Sequence, residues 1–120
     1  MPGCVLRIGG NFTAAELLAQ CPLPRVARAD DGCVLALVSG AESSNIHTQV
    51  GEALEFLAAF SCTLQKISSL PGLGMELDFG VWIKDVPIQS IRFPSALVKA
   101  AGNLGIELVI SLYVSDDGEV

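Results

Sequence analysis

The nine residues 106–114, IELVISLYV, constrain the fold more than any other stretch. Ile106, Leu108, Ile110, Leu112 and Val114 recur at period two, with Glu107, Val109, Ser111 and Tyr113 between them. Successive side chains of a strand point to opposite faces, so the pattern predicts a strand with one dry face and one mixed face. Residues 75–83 repeat it: Met75, Leu77, Phe79, Val81 and Ile83 alternate with Glu76, Asp78, Gly80 and Trp82. A sheet that is apolar on one face needs a second layer to cover it.

The remaining segments supply that layer. Residues 4–8 predict a short strand, with Cys4, Leu6 and Ile8 on one side and Val5 and Arg7 on the other. Gly9 and Gly10 end it. Thr13 and Glu16 have the spacing of a capping box, and Phe12 and Leu17 that of a hydrophobic staple, so a helix starts here and runs to about Gln20. Pro22 and Pro24 stop it. Residues 25–32 read as a polar connection closing on the turn pair Asp31-Gly32. Residues 33–38 are apolar on both faces, which suits a strand covered twice or packed at an interface. The longest helix is expected over about 45–60, capped by Ser43 or Ser44. Its stripe is Ile46, Val50, Ala53, Leu54, Leu57 and Ala58, widened by Phe56 and Phe60, with Glu52 and Glu55 on the wet side. Residues 62–70 fit either a short strand or an irregular return. Residues 84–92, with Pro87, read as a loop with an edge strand. Pro94 suits the first turn of a last helix with Leu97, Val98, Ala101 and Leu104 inward, and Gly105 suits its stop.

The expected fold is α+β: a ferredoxin-like sheet with helices on one face, the long middle helix inserted between the two central strands, and the strand at 4–8 lying between those at 75–83 and 106–114. A doubly wound parallel sheet is the alternative, although buried parallel strands are usually apolar on both faces. At 120 residues the chain is one domain, with 115–120 as a frayed acidic tail.

The net charge of −6 argues against a nucleic-acid binder, which needs a positive footprint. Although 51% of residues are hydrophobic, charges and turn residues break each apolar run short of the ~18 residues of a membrane helix. The N-terminus lacks the pattern of an export signal, so the expected location is cytoplasmic, with no membrane partner. Cys4, Cys21, Cys33 and Cys62 have no metal-ligand spacing and read as reduced thiols, Cys4 and Cys33 on apolar strand faces. No metal or cofactor is expected.

The stretches LRIGGNFTAAELL, VGEALEFLAAF and ALVKAAGNLGIELVISLYV together resemble a family of small bacterial domains of unknown function. The resemblance covers nearly the whole chain. It implies one α+β domain and carries no activity or site residue with it.

Three groups of residues are candidates for function. Gly9, Gly10 and Asn11 lie between a strand and a capped helix, where free backbone N–H groups can hold an anion. Arg7, a charge inside a strand, could anchor an anion or partner carboxylate, or pair with Glu76, Asp78 or Glu107. Trp82 and Tyr113, with Val5 and Val109 on the mixed strand faces, are candidate anchors for a partner. His47 has no orienting group to make a catalytic pair with a thiol, and the carboxylates do not cluster as an acid–base pair. The resulting expectation is a non-enzymatic protein-binding module that self-associates, most simply as a homodimer. The acidic charge would suit an immunity- or antitoxin-type role against a basic protein. The alternative is a small-ligand regulatory domain.

Overall fold

The computed structural model describes residues 3–40, 45–83 and 89–114. The elements in chain order are β1 (Cys4–Gly10), α1 (Ala14–Gln20), β2 (Val26–Asp30), β3 (Cys33–Leu37), α2 (Ile46–Ala59), α3 (Ser61–Ser68), β4 (Leu73–Ile83), α4 (Ser95–Asn103) and β5 (Ile106–Val114). The strands form one sheet in the order β2-β3-β1-β4-β5. β1 is antiparallel to both β3 and β4, β2 is antiparallel to β3, and β4 and β5 run parallel. The fold is therefore α+β on a mixed sheet. None of the described helices is long and apolar enough to cross a membrane.

The ferredoxin-like strand order is corrected by these pairings. β1 lies between β3 and β4 rather than between β4 and β5. With both edges of β1 taken, β5 pairs with the outer edge of β4, and α4 makes the crossover that a parallel pair requires. The all-parallel alternative fails on the antiparallel β1. Residues 26–30, expected to be connection, form β2 instead. Asp31 and Gly32 close a hairpin with β3, Gly32 taking φ 84°, and only Val26 of the β2 side chains packs toward the core. Residues 61–68 are helical rather than extended or irregular. Leu64 and Ile67, at helical spacing, are fully buried.

All four helices pack on the same face of the sheet. The core joins Cys4, Leu6, Ile8, Val34, Ala36, Met75, Leu77, Phe79 and Ile106 to Leu17, Ala53, Leu57, Leu64, Ile67, Leu97 and Ala101. None of the alternate residues of β1, β4 or β5 belongs to that cluster. Each fully buried Leu, Ile or Phe contributes roughly 1.5–3 kcal/mol. Leu97, Ala101 and Leu104 are buried as expected, whereas Val98 is half exposed and points away from the core.

The caps follow the local sequence. Thr13 Oγ1 accepts from the Glu16 N–H at 3.4 Å, and Asp31 Oδ1 accepts from the Ala14 N–H at 2.9 Å. Asn45 caps α2 by accepting from the His47 N–H at 2.8 Å. It takes the position expected of Ser43 or Ser44, which lie outside the described residues. The expected acidic tail at 115–120 and the loop around Pro87 lie outside them too. Gly10 has φ 144° and sits so close to the Gly72 carbonyl that a Cβ would come within 2.2 Å of its oxygen, so only glycine fits.

Helical cover stops short of one end of the sheet. A nine-residue helix such as α4 spans ~14 Å, while a nine-residue strand such as β5 spans ~30 Å. β1 ends opposite Phe79, and the Gly80 N–H donates to the Gly3 carbonyl at 2.7 Å. From Val81 to Ile83, β4 pairs with Leu112 to Val114 of β5 and with no other described strand. The dry face expected along the whole of 106–114 is thus dry only at its start. Ile106 is 5% exposed, but Leu112 is 57% and Val114 is 70% exposed.

Candidate functional site

Of the three groups of candidate residues, the structure brings Gly9 and Arg7 to one concavity and sets the Trp82–Tyr113 pair apart from it. Gly9 pairs with Gly74 near one end of β4, Arg7 with Glu76 two residues further on, and Trp82 lies six residues beyond Glu76. At a strand rise of ~3.3 Å per residue, Trp82 is ~20 Å from the Arg7 row. Arg7 and Trp82 stand on the sheet face opposite the helices, and no described helix packs there.

At the glycine turn the backbone donors are spent. The Gly10 N–H donates to the Gly32 carbonyl at 3.3 Å and the Asn11 N–H to the Gly72 carbonyl at 3.4 Å. The first N–H groups of α1 go to Asp31 and Thr13. An anion would have to displace these bonds, so the turn is a structural junction that holds β1, the β2–β3 hairpin and the start of β4 together.

Arg7 is matched within the protein. Its Nη1 donates to Glu76 Oε1 on the paired strand, and its Nη2 donates to Asp78 Oδ2 at 3.2 Å. Asp78 is only 8% exposed, and its other oxygen accepts the Ser111 hydroxyl at 2.6 Å. These bonds hold the Arg7 guanidinium more firmly protonated, chiefly through the Glu76 hydrogen bond; partial burial opposes this and Asp78 adds to it. Glu107 stands beside Glu76 in the β4–β5 register, so Arg7 also offsets like charges on neighbouring strands. A concavity of about 260 Å³ next to this row is lined by Gly9, Cys33, Glu76 and Glu107 among others. The row is an ion-pair network that positions three strands, and its cation is already committed.

Trp82 and Tyr113 are direct neighbours across the β4–β5 pair, their rings meeting edge-on at 6.1 Å between centroids. The Trp82 carbonyl accepts from Gln89 Nε2 at 3.0 Å. On the opposite face of the same segment lie Ile83, Ile110, Leu112 and Val114, all exposed. The tip of the β4–β5 ribbon is therefore apolar on both faces. Sequence reading finds Trp82 and Tyr113 but assigns Ile110, Leu112 and Val114 to the covered core. The missed signal is one of length, since the alternation in 106–114 outruns the helix before it.

The other chemistry-bearing residues stay apart. His47 is exposed at the start of α2. Cys4 and Cys21 are buried, Cys33 is half-buried on the open face, and Cys62 is exposed. This corrects the expectation that Cys33 lies on an apolar strand face: it pairs with Gly9, on the face of Arg7. Burial pushes the Cys4 thiol far up from its ordinary value, with Asp78 and Glu52 adding to the shift. Glu52 is not simply solvated: its Oε1 is buried and has no hydrogen-bond partner. Among the described residues no three of His, Cys, Asp and Glu converge on a common point where a metal could sit.

Compared with known proteins, the chain matches no family model, no curated protein and no solved structure at a significant level. The surfaces described above are thus the ground for a functional reading.

Proposed function

We propose that this chain is a non-enzymatic protein-binding module that works through its sheet and associates with itself. One observation carries the reading. The β4–β5 ribbon projects past the helical layer with Ile83, Leu112 and Val114 exposed on one face and the Trp82–Tyr113 pair on the other. An apolar surface of this kind, left in water, loses the stabilisation that burial would add. Aromatic side chains on a rigid strand pair lose little entropy when a partner covers them. Away from the ribbon, Arg7 is paired with Glu76 and Asp78 and Arg28 with Asp30, so the cations of the sheet are already matched within the chain. With a net charge of −6, the surface that best fits around such an apolar centre on a foreign protein is basic, as in an immunity-type inhibitor.

The test compares the native chain with Trp82→Ala in tagged capture, followed by gel filtration with light scattering. A stoichiometric foreign protein or a second copy is expected with the native chain, and a foreign protein is expected to be lost with Trp82→Ala. A native chain that stays monomeric and holds no protein overturns the reading.

A further inference from the structure

We propose that a second copy of this chain pairs with the outer edge of β5, antiparallel and about a two-fold axis at Ile110, so that two five-stranded sheets join as one. The inference rests on the self-association proposed above and deepens it by naming the edge and the register.

The first ground is the edge itself. Among the described residues β5 is the last strand of the sheet, nine residues long and in regular register with β4. It carries one charge, Glu107. A long, regular edge of N–H and C=O groups with so little charge is a template for another strand.

The second ground is closure. At the other edge β2 is five residues long, its register shifts between Val26 and Arg28, and it presents the Arg28–Asp30 ion pair. Pairing β5 with β2 of another copy would be heterologous and would grow a filament, and the charged, irregular β2 edge resists it. Pairing β5 with β5 uses the same surface twice and closes at two copies.

The third ground is the match of side chains. With the axis at Ile110, Ile106 faces Val114 of the second copy and Leu108 faces Leu112, all on the helix side. On the open side Glu107 faces Tyr113 and Val109 faces Ser111. The only charge of the strand thus meets a phenol hydroxyl rather than another carboxylate. Each overhanging half of β5 lies beside the covered half of the other, next to the other copy's α4. Val98, on the outward side of α4 and 50% exposed, then has apolar neighbours, and so do Leu112 and Val114. The second copy supplies the cover that each chain's own α4 is too short to give. All nine residues of the strand take part, a contact ~30 Å long.

Light scattering on the full chain tests this, with a mass of twice 12.5 kDa expected for the native protein. Leu112→Lys is expected to halve that mass while leaving the far-UV circular dichroism unchanged, and Ala29→Lys on the β2 edge is expected to keep it. In a Cys62→Ser background, Ile110→Cys sits opposite itself and is expected to oxidise to one covalent dimer, whereas Val109→Cys is not. A double-mass species that Leu112→Lys leaves intact overturns the edge assignment while self-association stands. Cross-linking through Leu112→Cys in place of Ile110→Cys overturns the register. A native chain of single mass overturns both this inference and the self-association on which it rests.

Discussion

The two edges of the sheet solve the same problem in opposite ways. β2 is short, follows a residue in the left-handed region (Arg25, φ 52°), breaks register, and shows an ion pair to solvent. β5 is almost twice as long, regular, and exposes Ile110, Leu112 and Val114. Free strand edges invite pairing, and proteins blunt them with charge, irregularity or brevity. The β2 edge has all three, whereas the β5 edge is long and regular and carries a single charge, Glu107. The difference teaches that one chain can guard one sheet edge and leave the other unguarded, which is the ground for the pairing proposed at β5.

The contrast can be broken or sharpened by substitution. The largest expected effect lies within β5 itself, between its covered and overhanging halves. Ile106→Ala should destabilise the fold by about 2–5 kcal/mol, because a buried side chain leaves a cavity. Leu112→Ala, measured at dilutions where the chain is single, should stay within about 0.5 kcal/mol. Urea unfolding of the two variants reads the difference, and equal losses would mean that the overhang is covered within one chain.

Next comes the network that couples the middle strands. Arg7→Ala leaves the Asp78 carboxylate nearly buried with only the Ser111 hydroxyl as partner. A cost of about 1–3 kcal/mol is expected, more than an exposed ion pair provides. Arg7→Lys should recover part of it. A loss below that of a surface pair would show that Asp78 finds another partner.

A smaller effect depends on pH. The folded state holds the Cys4 thiol neutral well above its ordinary value of 9.0. A folded-state pKa raised in this way contributes stability that is whole below 9.0 and is lost as pH rises beyond it, because only the unfolded chain then ionises. Thermal unfolding should therefore show a fall in Tm above pH 9 that is less steep in Cys4→Ala. In thiol labelling of the native protein, exposed Cys62 should react first and Cys4 only on unfolding.

The smallest expected effect is on the guarded edge. Replacing Arg28 and Asp30 together by Val should leave the melting temperature nearly unchanged, since both side chains are exposed. It should raise the mass slowly at high concentration as β2 becomes adhesive, which light scattering would follow. A mass that stays constant would mean that brevity and the register shift alone protect this edge.

Much of the architecture is legible in the residues. The alternation in 75–83 and 106–114 marks β4 and β5, the Thr13 cap and Pro22 bound α1, and Gly105, at φ 68°, ends α4. Arg7 meeting Glu76 and Asp78 follows from placing charges on one strand face. β2 was hidden because VARAD has one inward apolar residue, too few for a periodic signal, and α3 because CTLQKI has only two buried positions. Of the candidate site, Trp82 and Tyr113 could be read as lying on mixed faces, but not as neighbours, because the expected order put β1 between their strands. The exposure of Leu112 and Val114 could not, because it depends on where a helix stops in space.

The sequence by itself determined the long alternating strands β1, β4 and β5, the direction in which their side chains alternate, and that helices must cover one face. Those properties are local, being set by the alternation of side chains and by hydrogen bonds at caps and turns. Only the tertiary structure decided that β1 lies between β3 and β4, that β5 takes an outer edge, and that the cover ends before the ribbon does. Alternation tells which way a side chain points and carries no label for the neighbouring strand. Strand order comes from competition for edges, and the exposed tip from a strand rising ~3.3 Å per residue beside a helix rising ~1.5 Å.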